Sequence, residues 1–145
     1  MFLDLIFPLA TPGNPMALVM EYLPLGPLNR FLQNNKESVE NEDLLEAAVS
    51  MARALLHLEE LNIVHSNIRL RNVLVAHHGE DGLKVKLADP GLPDYNVPEE
   101  VHWLSFDLLV DSCPTSSKCT HKGDVWAYGT TVNEYNSHFK DQIRK

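Results

Sequence analysis

Three side chains between residues 65 and 91 carry the groups with which this sequence could do chemistry. Asn72 and Asp89 offer amide and carboxylate oxygens, which are ligands that hard cations such as Mg²⁺ prefer. Asn67 carries a neutral carboxamide, which can orient a hydroxyl group but cannot serve as a carboxylate base. Each also has a simpler interpretation, because asparagines form loops and an aspartate before Pro-Gly is typical of a turn. His65 is predicted to be a core histidine that supports the loop backbone.

A long helix and a β-hairpin are predicted on either side of this polar segment. From Asn41 to Leu61 apolar residues recur at helical spacing, and Asn41 or Asp43 is expected to cap the helix. Val73–Ala76 is predicted to be a short strand, His77–Gly82 a turn with a solvated tip, and Leu83–Leu87 a second strand. The apolar positions are Leu44, Leu45, Ala48, Met51, Ala52, Leu55 and Leu58 on the helix, and Leu83, Val85 and Leu87 on the second strand.

Shorter elements are predicted before this unit. Residues 1–10 are expected to form a strand that leads into a turn at Thr11–Pro15, and Ala17–Leu23 has the composition of a buried strand. Pro27 suits the first turn of a two-turn helix, because Leu28, Phe31 and Leu32 then share one face.

The segment after the hairpin is predicted to be mostly irregular. Residues 92–123 carry prolines and small polar side chains, which favours an extended loop with one short helix. Asp124 is expected to cap a final helix that contains Trp126 and Gly129, and the apolar pattern of this helix is lost from Asn136.

The composition of the 145-residue chain excludes several classes of protein. Twelve Lys and Arg stand against 20 Asp and Glu, a formal net charge of −8, and no basic stripe is available for nucleic acid or an anionic membrane. A signal peptide or membrane span is not expected, because Asp4 and Pro8 interrupt the apolar start and no later apolar run is long enough. With 44% apolar residues and only two cysteines, the sequence predicts one folded domain in a reducing cytoplasm.

The order of the polar motifs resembles the C-terminal lobe of a protein kinase. His65-x-Asn67-x4-Asn72 is similar to the catalytic loop, Asp89-Pro90-Gly91 to the metal-binding triplet, and Asp124-x-Trp126-x2-Gly129 to the start of the central helix. The resemblance implies an α+β, partial protein kinase-like fold. Residues 27–145 are then a truncated, mainly α C-lobe with a short β-hairpin, residues 1–26 are a remnant of N-lobe strands and hinge, and most of the N-lobe is absent. Structural roles are implied for Asp124, Trp126 and Gly129.

The same resemblance implies a catalytically deficient site. The position of the catalytic base is Asn67 where an active kinase has an aspartate, and Ser66 replaces an arginine. Asn72 and Asp89 remain as positions for Mg²⁺ and its nucleotide, so that weak Mg-ATP binding or none is expected. Pro90 replaces a phenylalanine, and because proline fixes φ, one rigid arrangement of the triplet is expected.

The parts that hold a nucleotide's phosphates in the family are missing from the sequence. No G-x-G occurs, and the first lysine is Lys36. Neither the glycine-rich loop nor the phosphate-pairing lysine is therefore expected in this polypeptide.

Within the kinases, several details are similar to the pseudokinase domain of Janus kinases. They are His-x-Asn in the catalytic loop, the run Leu87–Gly91, and Gly129-Thr130-Thr131, while Arg71-Asn72 favours the tyrosine-kinase branch. The resemblance implies a regulatory, protein-binding role in JAK-STAT type cytokine-receptor signalling. The implied partner is a kinase domain or a cytokine-receptor complex, and the implied location is the cytoplasm, peripheral to the membrane through such a complex.

Two alternatives remain open. The chain could be a segment of an active ATP-dependent protein tyrosine kinase, a hypothesis against which Asn67 argues. It could also be a partial gene copy without function, whose exposed apolar surface would favour aggregation.

Overall fold

The computed structural model describes residues 5–9, 17–91, 98–110 and 119–143. In chain order the elements are β1 (Leu5–Leu9), β2 (Ala17–Met20), α1 (Leu28–Asn34), α2 (Asn41–Glu60), β3 (Val73–Gly79), β4 (Gly82–Leu87), α3 (Phe106–Leu109) and α4 (His121–Ile143). Short 3-10 helices cover Leu70–Asn72 and Pro98–Trp103. The turn predicted at Thr11–Pro15 lies outside the described residues. None of the helices in the described ranges is long and apolar enough to cross a membrane.

The long helix α2 confirms the helix predicted from residue 41, but its cap differs from the prediction. The N-cap residue is Glu40, whose side chain accepts from the amide of Asp43, while the Asp43 carboxylate accepts from the Glu40 amide at 2.9 Å. This reciprocal pair satisfies two backbone donors that the helix itself leaves unpaired. Asn41 is therefore the first helical residue, and Asp43 completes the cap from the third position.

The buried face of α2 is rotated from the predicted one. Ala47 and Ala54 are almost fully buried against the hairpin, whereas Leu45 is 67% exposed. The small alanines allow β4 to approach the helix closely, which turns the larger Leu45 outward. Leu45, Val49, Ala52 and Leu56 then form an exposed row at spacings of four, three and four residues. Part of this row lines a groove of about 250 Å³ between α2 and α4.

The predicted hairpin is confirmed as the antiparallel pair β3 and β4. Leu83, Val85 and Leu87 are buried, as the alternation predicts. The turn is shorter than predicted, since both histidines 77 and 78 belong to β3 and a register shift lies between Val75 and His77. His78 is not a solvated tip. Its Nε2 lies 3.4 Å from Asp43 Oδ2, and its ring meets the Phe31 ring edge to face with 5.2 Å between centroids.

The flanking elements follow the predictions with changed boundaries. β1 and β2 pair antiparallel, and β2 ends at Met20 rather than Leu23. α1 buries Leu28, Phe31 and Leu32 on one face, as predicted. The irregular segment holds the short helix α3 and, in addition, the 3-10 helix before it.

The final helix α4 starts earlier than predicted. Thr120 precedes it and accepts the Gly123 amide on Oγ1 at 3.2 Å and the Asp124 amide on its carbonyl at 3.1 Å. Asp124 therefore lies inside the first turn and is not the cap. The helix continues to Ile143, past Asn136.

Candidate functional site

The loop between α2 and β3 is held by a single carboxylate on α4. Asp124 Oδ2 accepts the His65 amide at 2.7 Å, and Asp124 Oδ1 accepts the Ser66 amide at 2.8 Å. Asp124 is 4% exposed, and this burial raises the pKa of its carboxyl group, while the two amides act in the opposite direction. Ser66 has a φ of 67°, a left-handed conformation that is unfavourable for serine. The two hydrogen bonds to Asp124 stabilise this conformation.

His65 lies beneath the loop and connects it to the segment after β4. Its Nδ1 accepts the Asn67 amide at 3.3 Å, and its carbonyl accepts the Gly91 amide at 2.9 Å. The side chain is 1% exposed, consistent with the core histidine expected from the sequence. Burial lowers the pKa of His65 to about 4. A hydrogen bond with the Ala88 backbone and the negative charge of Asp89 act in the opposite direction. The imidazole is therefore neutral at pH 7 and can accept the Asn67 amide.

The lowered pKa of His65 predicts that the protein loses stability in mild acid. The unfolded imidazole binds its proton near pH 6.5 and the folded one near pH 4, so unfolding takes up a proton between these values. The His65 contribution is complete above pH 6.5 and falls by about 3 kcal/mol as the pH drops to about 4. Urea unfolding at intervals from pH 7.5 to 4 measures this loss.

A pair of histidine variants separates this effect from general acid denaturation. His65→Gln is expected to flatten the pH dependence, because it removes the buried titrating group. His57→Gln is the matched control, since His57 is exposed on α2. A His65→Gln protein with the same pH slope as the wild type would contradict the prediction.

Asn67 connects the loop to the Asp89 segment through its side-chain amide. Its Nδ2 donates to the Asp89 carbonyl at 3.1 Å, and its own backbone carbonyl accepts Asn72 Nδ2 at 2.9 Å. The Asn72 carbonyl in turn accepts the Ala88 amide at 2.8 Å. These bonds join Asn72 to the Ala88 amide and Asn67 to the Asp89 carbonyl, so that the asparagines hold the Ala88-Asp89 segment at both ends. A carboxylate at position 67 could not make the first of them, because it has no hydrogen to donate.

Asp89 is held in an unusual backbone conformation. It has a φ of 56° and its side chain is exposed, and Gly91 follows with a φ of 136°. Pro90 lies between them and has a fixed φ. The Asn67 amide and the His65 carbonyl hold this turn from one side.

Three side chains of this site carry oxygens that a hard cation or a hydroxyl group could use. Asn72 uses its Nδ2 within the protein, which leaves Oδ1, and the Asp89 carboxylate is open to solvent. Asn67 Oδ1 is buried and has no hydrogen-bond partner in the described part of the chain. A buried acceptor without a partner is an acceptor for a ligand, a water or an ion. The oxygens of this donor set therefore fit Mg²⁺, although only one of the groups is a carboxylate. No group of three or more His, Cys, Asp or Glu suitable for a metal occurs among the described residues.

The other residues predicted from the motifs lie away from this site. Trp126 is 52% exposed on α4, and Gly129 has open space where a Cβ would be. Of the three positions predicted on this helix, only Asp124 contacts the loop. We find no contact that explains the types of the other two.

Sequence reasoning missed two pairs of lysine and glutamate side chains. Lys84 pairs with Glu46 of α2, and Lys86, only 9% exposed, pairs with Glu21. The strict alternation in β4 is the only signal in the sequence, and it suggests that both lysines face solvent. The second pair joins the segment after β2 to the strand that ends at the Asp89 turn.

The chain is similar to known protein kinases over most of its length. Residues 5–144 match the family model described as "Protein tyrosine and serine/threonine kinase". The chain is 33% identical over 132 residues to the epidermal growth factor receptor of Apis mellifera, covering 83% of this chain and 10% of the relative. It is 30% identical over 125 residues to tyrosine-protein kinase JAK1 of Danio rerio, covering 81% and 10%. It is 29% identical over 130 residues to tyrosine-protein kinase hopscotch of Drosophila melanogaster, covering 81% and 10%. The chain thus spans about a tenth of the length of the curated relatives that it matches.

Proposed function

Because this chain belongs to the protein tyrosine and serine/threonine kinase family, we propose that it is a catalytically deficient kinase-like segment that acts by binding protein. The observation that carries this proposal is the role of Asn67. In the family an aspartate at this position orients the attacking hydroxyl and accepts its proton. Here the position holds a neutral amide, which is 8% exposed and donates to the Asp89 carbonyl. The amide stabilises the site and cannot act as a base.

The proposal includes weak Mg-ATP binding or none. Mg²⁺ bound with ATP would neutralise charge on the phosphates. Asn72 Oδ1 and the Asp89 carboxylate are the groups that would hold it, and Asn67 Oδ1 is the nearby acceptor that could take a hydrogen bond from a hydroxyl. The sequence contains no G-x-G and has no lysine before Lys36 to clamp the phosphates. The affinity for Mg-ATP should therefore be low.

We further propose that the segment is of the Janus-kinase pseudokinase type and regulates cytokine-receptor signalling from the cytoplasm. His65 and Asn67 in the loop and Pro90 in the triplet support this subtype. Relatives named JAK1 and hopscotch support it too, although an epidermal growth factor receptor matches at similar identity. The proposed partner is a kinase domain or a cytokine-receptor complex, which would place the protein at the membrane periphery.

A thermal-shift titration with ATP, with and without Mg²⁺, tests the nucleotide part of the proposal. Binding to the folded state alone raises Tm by mass action. For a dissociation constant of about 1 mM or weaker, about 5 mM ATP stabilises the fold by no more than about 1 kcal/mol, which limits the rise in Tm to about 4 °C. Any Mg²⁺-dependent part of the rise should disappear in Asn72→Ala and Asp89→Ala. A larger rise in Tm would contradict the proposed weak binding of ATP.

A phosphotransfer assay tests the deficiency itself. The purified chain is incubated with radiolabelled Mg-ATP and a tyrosine peptide, beside an active tyrosine kinase as a positive control. We expect no label above background. Label on the peptide that is lost in Asp89→Ala would overturn the proposal and favour the alternative, a segment of an active tyrosine kinase.

A further inference from the structure

The three tyrosines that the structure describes differ sharply in access to their hydroxyl groups. Tyr135 is 2% exposed, and its hydroxyl donates to the Leu44 carbonyl at 3.1 Å. Tyr128 is partly buried and donates to the Ala48 carbonyl at 3.3 Å. Burial raises the pKa of both phenols, that of Tyr135 to about 12. Tyr22, in contrast, is 85% exposed.

The segment that carries Tyr22 is irregular and ends at an anchored turn. Residues 21–23 belong to neither helix nor strand, and they connect β2 to the turn at Pro24-Leu25. The turn is anchored behind them, because the Gly26 amide donates to the Leu23 carbonyl at 3.1 Å and the Gly26 carbonyl accepts the Val75 amide at 2.9 Å. Tyr22 therefore lies on an exposed irregular segment, where modified residues are commonly found.

An ion pair lies directly next to Tyr22. Glu21 pairs with Lys86 of β4, which is almost buried, so the residue before Tyr22 is held against the protein. Tyr22 itself is exposed to solvent. No other described tyrosine is presented in this way.

We propose that Tyr22 is a phosphorylation site for a separate, active protein tyrosine kinase. The Tyr22 hydroxyl oxygen attacks the γ-phosphorus of ATP bound to that kinase, a new O–P bond forms, and the bond from the γ-phosphorus to the β,γ-bridging oxygen breaks to release ADP. The phenolic proton passes to the base of that kinase. The modification places a charge of about −1.5 to −2 on the solvent side of the segment whose neighbouring residue, Glu21, pairs with Lys86.

The test is phosphorylation of the folded full chain by a purified tyrosine kinase catalytic domain with Mg-ATP, followed by site mapping with mass spectrometry. Tyr22 should be phosphorylated to near completion. Tyr128 and Tyr135 should carry at least about tenfold less phosphate, because their modification requires local unfolding. Tyr22→Phe should abolish most of the incorporation at the tyrosines that the structure describes, and Tyr128→Phe should preserve the phosphate on Tyr22.

Synthetic peptides of residues 17–28 and 122–138 show whether the kinase accepts each sequence when it is not folded. Selective reaction of Tyr22 in the chain, with reaction of both peptides, supports the proposal. Three results overturn it. The first is an absence of phosphate on Tyr22 of the folded chain, whether or not the peptides are phosphorylated. The second is an equal rate of phosphorylation at Tyr22 and Tyr128, and the third is unchanged total phosphate incorporation in Tyr22→Phe.

Discussion

Asp124→Ala is expected to lower the free energy of unfolding by about 3–5 kcal/mol, among the largest effects of any substitution outside the apolar core. The variant removes the carboxylate that accepts the His65 and Ser66 amides at 2.7 and 2.8 Å. Both amides would remain in a buried region without an acceptor, and hydrogen bonds to a charged group are stronger than neutral ones. Ser66 would also lose the bond that holds its left-handed φ. Urea denaturation measures the change.

Two further variants identify the cause. Asp124→Asn keeps one oxygen but places an amide NH₂ towards the other backbone donor, so we expect an intermediate loss of about 2–3 kcal/mol. Asp107→Ala, an exposed acid in the first turn of α3, should change stability by less than about 0.5 kcal/mol. In hydrogen exchange, the His65 and Ser66 amides should lose protection in Asp124→Ala. Unchanged stability together with unchanged protection of these amides would show that the carboxylate does not hold the loop.

The local elements of this fold are predictable because their signals are local. The apolar period predicts α2, the alternation predicts β4, and Pro27 predicts the start of α1. The boundaries of these elements are less predictable. The N-cap of α2 is Glu40, which is a poor cap by itself and caps the helix only together with Asp43 three residues later.

The contacts between distant segments were not predictable from spacing. Asp124 has the sequence properties of a helix cap, yet its carboxylate accepts from amides 58 and 59 residues earlier in the chain. Lys86 has the properties of a solvent-facing residue, yet it is buried because Glu21 lies across from it. Both outcomes depend on which segment packs opposite, and period and propensity do not encode that partner.

The order of the motifs, unlike the spacing of apolar residues, identified residues that lie together in the fold. It identified five residues as one set, and the structure joins all five through direct hydrogen bonds. They are His65, Asn67, Asn72, Asp89 and Asp124. It did not predict that the amide of Asn67 acts as a donor inside this network. An amide at this position therefore has one consequence that the structure shows, a structural bond to Asp89, and one that we propose, the absence of a base.

Asn67→Asp separates these two consequences. The introduced carboxylate cannot donate to the Asp89 carbonyl, and it is desolvated at a position that is 8% exposed. We expect a loss of about 2–4 kcal/mol at pH 7.5, compared with about 1–2 kcal/mol for Asn67→Ala, which removes the donor and the unpaired Oδ1 together. Neither variant should gain phosphotransfer, because the sequence contains no G-x-G and no lysine before Lys36 that could hold the phosphates.

The pH dependence of Asn67→Asp gives the sharper measurement. Burial raises the pKa of a carboxyl group above its unfolded value, so the folded form of the variant is favoured by protonation, and stability is lost as pH rises through the folded pKa. The protonated acid can also donate to the Asp89 carbonyl as the amide does. The difference in unfolding free energy between wild type and Asn67→Asp should therefore shrink from pH 7.5 to pH 5, although the wild type itself becomes less stable over that range through His65. A variant that is as stable as the wild type at pH 7.5 and transfers phosphate to a tyrosine peptide would show that the site lacks only its base.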